Sequence, residues 1–313
     1  MPGRAKLTAA AERNRRVAAR AAFGSLRDIA VRPKTLSRYV CAVSFFYSWA
    51  TDNFPLVGQD WESLDRQLCA WIEHCWQEGE NKALPADTVS GVQHLLMKRH
   101  VFFGAWKLIG IWSKQELPAR APPMPLLVLL ALSGYANSVK RKDIALMLLI
   151  GYHSVLRTTE MLSICVRDFW LDRGTCTGTL CLPVTKSGAR SGAPEMVTLD
   201  DPELGKRIIN FCASLPASAL LCNIGYIEFR AFFAEAMAHL RVEHLLLRPY
   251  SIRRGGASFD FLTFGSLERT ISRGRWASIK TAKIYINEGW SQLVNLTIDP
   301  VLAKHLSAFA QYA

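Results

Sequence analysis

Residues 118–125 read Pro-Ala-Arg-Ala-Pro-Pro-Met-Pro, and they constrain the fold more than any other stretch of the chain. Four prolines in eight positions fix φ and remove backbone donors, so no helix passes through them. Upstream, Leu36, Tyr39, Val40, Val43, Phe46, Tyr47 and Trp49 recur at helical spacing behind Pro33, a residue suited to a helix entry. Further helical stretches are expected over residues 61–77 and 90–111. Downstream, helices are expected through residues 126–132 and 143–152, and a third from Thr158 or Thr159, whose hydroxyls can cap a helix start. The period then changes. Residues 178–185 and 195–199 read as two short strands joined by the turn-prone segment Ser187 to Gly192, and from Asp201 onward the pattern is helical again. The expected fold class is mainly α with a small β-hairpin (α+β). Its parts are a basic segment over residues 1–34, a helical domain over 35–117, a linker over 118–125 and a second domain over 126–313.

With 313 residues and 50% hydrophobic content the chain can fill two cores without metals or disulfides. The formal net charge of +12 points to a polyanionic partner, nucleic acid ahead of an anionic membrane. Residues 1–34 hold nine Lys or Arg against Glu12 and Asp28. With Arg13, Arg15, Arg16 and Arg20 among alanines, that segment fits a helix tracking DNA backbone, a nuclear-targeting cluster, an acid-poor transit peptide or a solvated tail. The eight cysteines form no paired C-x-x-C motif and read as reduced core residues of an intracellular protein. The longest apolar runs fall short of the roughly 18–20 residues that cross a bilayer, and no apolar signal segment follows Met1.

The chemistry lies in an ordered series: Arg157, Lys186, Tyr250, Arg253, Trp276 and Tyr285. Two guanidinium forks match phosphate oxygens in pairs, and a lysine at the mouth of the hairpin can protonate a leaving oxygen. Glu160, one turn beyond Arg157, can hold that arginine's orientation. Tyr250 and Arg253 stand i, i+3 after Pro249, and the small residues Gly255, Gly256, Ala257 and Ser258 permit close backbone approach. An indole N–H can donate to phosphate, and Lys280 and Lys283 place charge beside Tyr285. Singly, each residue also suits an ordinary structural role. Periodicity does not decide which of Arg253 and Arg254 points inward.

In order and spacing the series resembles the tyrosine recombinase (phage integrase) family. The fragments that carry the resemblance are Leu156-Arg157-Thr158-Thr159-Glu160-Met161-Leu162, Val184-Thr185-Lys186-Ser187-Gly188, Tyr250-Ser251-Ile252-Arg253-Arg254, and Trp276 with Tyr285 nine residues later. Residues 33–39 also look like that family's core-binding (SAM-like) domain. The resemblance implies a DNA breaking and rejoining enzyme in which Tyr285 forms a 3′-phosphotyrosyl bond, as in integrases of mobile elements. Neither cofactor nor metal is then required, because the covalent bond conserves the phosphodiester energy. It further implies duplex DNA as partner, a homotetramer on paired sites, no membrane association, and a place with DNA in a nucleoid or a nucleus. Lys34, Thr35, Arg38, Arg254, Lys280 and Lys283 would meet the DNA.

One position departs from the pattern: Tyr250 stands where the family most often has histidine. A phenol donates to phosphate at neutral pH but accepts a proton poorly. That departure keeps a non-catalytic DNA-binding protein on the same scaffold in view. A helical interaction protein, a type IB topoisomerase and a telomere resolvase are further alternatives.

Overall fold

A computed structural model describes residues 3–21, 24–26, 29–58, 60–97, 101–116, 120–182, 194–286 and 288–313. The chain divides into two compact units, Met1–Ala119 and Arg120–Ala313. In the first, the basic segment is helical over α1 (Gly3–Ala21), with residues 9–21 exposed. Four further helices follow: α2 (Pro33–Asn53), α3 (Trp61–Gln77), α4 (Ala83–Leu95) and α5 (Phe103–Gln115). Pro33 opens α2, and the Asp60 carboxylate caps α3 by accepting from the Ser63 N–H at 2.7 Å. Such a cap contributes about 1 kcal/mol. Phe46, Leu68, Ile72, Val89 and Phe102 meet in the core of this unit. Each such side chain contributes roughly 1.5–3 kcal/mol on burial.

The single helical stretch expected over residues 90–111 is instead two helices. Helix α4 closes on Leu96, and Met97 at φ +53° turns the chain. Both helices bury apolar residues in the same core, so the hydrophobic period runs on with no Gly or Pro to betray the break.

In the second unit, α6 (Leu126–Ser138) and α7 (Lys142–His153) form the centre of the core, where Leu132, Ile144, Met147 and Leu148 are fully buried. The helix expected at Thr158 is only one turn, α8 (Thr158–Met161). Its N-cap is Arg157, whose N–H donates to Glu160 Oε2 at 2.8 Å, so no threonine hydroxyl serves. Three antiparallel strands follow, where the sequence predicted two: β1 (Phe169–Leu171), β2 (Gly178–Leu182) and β3 (Glu195–Leu199), in the order β1-β2-β3. The register sets Phe169 against Leu180 and Leu180 against Val197. β1 has only three residues, too few for an alternation to show in the sequence.

The remaining helices are α9 (Pro202–Cys212), α10 (Tyr226–His239), α11 (Pro249–Phe264), α12 (Leu267–Gly274), α13 (Ile279–Tyr285), α14 (Glu288–Leu296) and α15 (Pro300–Ala310). The last packs on its own chain: Leu306 is fully buried, Phe309 meets Tyr135 edge to face, and Asn137 Nδ2 donates to the Tyr312 carbonyl at 2.7 Å. Helix α11 lies against the backbone of two neighbours. A Cβ on Gly255 would sit 2.2 Å from the Met124 carbonyl oxygen, and one on Gly256 would sit 2.1 Å from that of Tyr152. The Met124 N–H donates to the Ser251 carbonyl at 3.0 Å. Glycine is thus what lets α11 carry Tyr250 and Arg253 so close to α7. Of the eight cysteines, all free, Cys75 and Cys222 are buried while Cys41 is exposed and the others are intermediate, so the reading as core residues holds for two.

Candidate active site

The structure brings Arg157, Tyr250, Arg253, Trp276 and Tyr285 together, and Lys186 lies outside the described residues. Arg253 is the centre of the group and is 1% exposed. Its Nη1 donates to the Val155 carbonyl and its Nη2 to the Gly274 carbonyl at 2.6 Å. Val155 has φ +50°, a left-handed conformation that a β-branched residue rarely adopts and that stores about 1–3 kcal/mol of strain. The Arg253 guanidinium carbon stands 5.1 Å from the Trp276 ring centroid and 5.3 Å from that of Tyr285. Trp276 and Tyr285 pack at 4.7 Å with 34° between their planes, on a floor of Val155, Ala257 and Ala282.

Arg157, just before α8, pairs with Glu160. The same carboxylate accepts from Arg275 Nη2 at 2.7 Å and lies 3.8 Å from Arg253. Arg275 also donates to Glu195 Oε2 at 3.1 Å and to the carbonyls of Ser154 and Arg273. Sequence reasoning assigned Arg275 no role. Its partners Glu195, Glu160 and Ser154 lie 80, 115 and 121 residues upstream, and nothing local marks it apart from the neighbouring Trp276. Three guanidinium groups against the carboxylates of Glu160 and Glu195 leave one positive charge unmatched. Burial, followed by the like charges of Arg275 and Arg157, brings Arg253 down to about 10, so it remains a cation at neutral pH.

The Tyr250 hydroxyl meets the Tyr285 hydroxyl in a direct hydrogen bond. Burial first, then that bond, pushes Tyr250 well above the usual phenol range. It therefore keeps its proton at any ordinary pH. Arg253 Nε and Trp276 Nε1 are buried without a hydrogen-bond partner among the described residues. So are Nε and Nη2 of Arg254, which is 2% exposed and packs over the Trp290 ring at 5.7 Å. Arg254 was expected as a DNA contact, and both it and Arg253 prove to point inward. Lys280 and Lys283 are exposed on α13. In the other unit Lys34 is exposed, Thr35 is half-buried, and exposed Arg38 pairs with Asp87, Nε to Oδ2 at 2.9 Å. Among the described residues no cluster of His, Cys, Asp and Glu could hold a metal ion.

A second ionic cluster, absent from the sequence reading, secures α12 and with it the loop that carries Arg275 and Trp276. Arg273 donates to Asp200 Oδ1 at 2.6 Å and to the His153 carbonyl at 2.9 Å, and its Nε lies 3.2 Å from Asp260. Arg269 donates to Asp200 at 2.8 Å and Thr270 to Asp260 at 2.6 Å.

The site therefore collects fixed cationic and neutral donors around two phenol oxygens and, among the described residues, offers no acceptor to Arg253 Nε and Trp276 Nε1. Such a set suits an anion on which charge grows during reaction. No protein-family model and no curated protein matches the sequence. Solved structures do match it. XerH site-specific recombinase, in a post-cleavage complex with palindromic difH substrate, superposes with a TM-score of 0.57 at 14% identity, over 84% of this chain and 78% of that one. The Tn1549 transposon integrase, in complex with transposon right end DNA, gives a TM-score of 0.58 at 10% identity, over 90% of this chain and 98% of that one.

Proposed function

From the tyrosine-recombinase fold, which this chain has, we propose that it breaks and rejoins duplex DNA as a site-specific recombinase or integrase, with Tyr285 as the nucleophile. The observation that carries the reading is the crowding of Arg157, Arg253, Trp276 and Tyr250 around Tyr285, with Arg253 Nε and Trp276 Nε1 buried and without a partner among the described residues. Tyr285 Oη attacks a DNA phosphate in line, a 3′-phosphotyrosyl bond forms, and the 5′-oxygen leaves. Arg157 and Arg253 neutralise the charge that grows on the phosphate, and Trp276 and Tyr250 donate to its oxygens, in a site where preorganised donors are worth most. Lys186, from its place in the sequence, protonates the departing oxygen. Exposed Lys34, Lys280 and Lys283, with Thr35 and Arg38, are the DNA contacts of this reading, and Arg254 supports them from within. Residues 35–117 are its core-binding domain, 118–125 its linker and 126–313 its catalytic domain, working as a tetramer on paired sites inside the cell.

The experiment is a covalent trap. A pool of nicked duplexes of random sequence is offered to the full chain, and protein–DNA adducts that survive denaturant are recovered. The expected result is an adduct with the native protein and none with Tyr285→Phe, whose DNA affinity stays within about twofold because only one oxygen is lost. An adduct that persists in Tyr285→Phe would show that another residue attacks. Salt-sensitive binding with no adduct would favour the second reading, a non-catalytic DNA-binding protein, which Tyr250 in place of histidine supports.

A further inference from the structure

The two phenols of the site are joined end to end. Their hydroxyls hydrogen-bond while their rings stand 5.9 Å apart at 53°, so they meet through oxygen and not through stacked faces. The two tyrosines are held differently. Tyr285 is fixed by its ring, on Trp276 and beneath Arg253, and its carbonyl accepts from Ser258 Oγ at 3.4 Å. Tyr250 rises from the first turn of α11, and 40% of it is exposed.

A pair of phenols that touch cannot both ionise readily, since two like charges about 3 Å apart repel strongly in a partly buried site. Once one becomes a phenolate, the other is bound to donate to it, and a charge-assisted O–H···O⁻ bond is roughly twice as strong as a neutral one. Cationic groups lie close to both phenols. Arg157 faces the pair from the N-cap of α8 and Arg253 and Arg254 face it from α11, while Glu160, Glu195 and Arg275 are engaged with one another and with Arg157 and Arg253. Arg253 lies over the Tyr285 ring itself.

We infer that Tyr250 is a positioning residue for Tyr285: its hydroxyl donates to Tyr285 Oη and keeps that oxygen as the member of the pair that gives up its proton. The inference rests on the reading of Tyr285 as nucleophile. Before attack the Tyr285 proton leaves to solvent while Tyr250 keeps its own. As the Oη–P bond forms and the P–O5′ bond breaks, Oη becomes a poor acceptor, and the Tyr250 O–H turns to a non-bridging phosphate oxygen. The leaving oxygen takes its proton from the general acid. The raised affinity of the Tyr250 phenol for its proton accords with the donor role. A tyrosine at the position of the usual histidine thus acts on the nucleophile before it acts on the phosphate.

The test uses the full chain with tyrosines carrying 13C at Cζ, titrated by NMR without DNA, the Tyr285 signal being identified by its loss in Tyr285→Phe. In Tyr250→Phe the Tyr285 midpoint should rise by about one pH unit or more, the scale of one missing charge-assisted bond. Tyr250→His, which keeps a donor, should bring the midpoint back toward its native value and guards against a misfolded variant. A Tyr285 midpoint unmoved in Tyr250→Phe overturns the inference, and so does a Tyr250→His midpoint equal to that of Tyr250→Phe. On nicked DNA, Tyr250→Phe should form adduct about 10-fold more slowly near neutrality and recover as pH rises. A uniform loss at all pH values would mean that Tyr250 serves the phosphate only and would overturn the inference. If the native protein forms no adduct, the recombinase reading fails, and the titration still decides whether the pair exists as described.

Discussion

Arg254 follows Arg253 along α11, yet the two buried guanidinium groups are treated differently. Arg253 is held by two carbonyls and leaves only its Nε unpartnered, whereas both Nε and Nη2 of Arg254 have no partner among the described residues. Leaving a buried donor unsatisfied costs about 1–3 kcal/mol. Arg254→Met, which keeps the length and removes the charge, should therefore raise stability by about 1–3 kcal/mol in urea denaturation. A loss of stability would show that the cation–π interaction with Trp290 outweighs the unpaired charge. Sequence order made Arg157, Tyr250, Arg253, Trp276 and Tyr285 legible as a series, because each stands in a recognisable fragment. Arg275 was not legible. Its importance comes from Glu160, Ser154 and Glu195, which only folding brings to it.

At the scale of elements, helices with a proline at their start were readable: Pro33 opens α2 and Pro249 opens α11. Elements defined by long-range pairing were not. β1 exists because Phe169 pairs with Leu180. The fastening of α12 likewise depends on residues far apart in sequence, and it carries a pH dependence. Burial and then the charge of Arg273 hold His153 below its ordinary value of 6.5. Burial opposes ionisation of Asp200, but hydrogen bonds from Arg273 and Arg269 prevail and hold its carboxyl well below the usual range. Both folded values are depressed, so both contributions are present at pH 7 and are lost on acidification. That of His153 declines as pH falls below about 6.5, and that of Asp200 only below about 4. Urea midpoints at pH 7.5 and 5.5 should show the first loss, and His153→Gln should remove most of that difference. An equal difference in the variant would assign it elsewhere.

Across the whole molecule the positive charge is unevenly spread. Helix α1 displays Arg13, Arg15, Arg16 and Arg20 on exposed positions, with Arg16 3.5 Å from Glu12. If these residues follow DNA backbone, affinity should fall linearly in log salt. Deleting residues 1–30 should then reduce the magnitude of that slope by about 0.9 for each phosphate that the shortened chain no longer neutralises. A slope unchanged by the deletion would assign phosphate binding to the rest of the chain.

The hydrogen bond from Met124 to Ser251 joins the end of the proline-rich stretch to the first turn of α11, whose Gly255 leaves room for the Met124 carbonyl. Residues 120–124 are thus fastened to the turn that bears Tyr250 and Arg253. A mechanical load arriving along the chain from the N-terminal side is therefore shared between that turn and α6, which Pro125 joins to Met124. In an optical trap pulling between residue 120 and the C-terminus, loss of the Tyr250–Tyr285 pair should precede the unfolding of α6 and α7, so the site doubles as a tension gauge on the strand of polypeptide that feeds it.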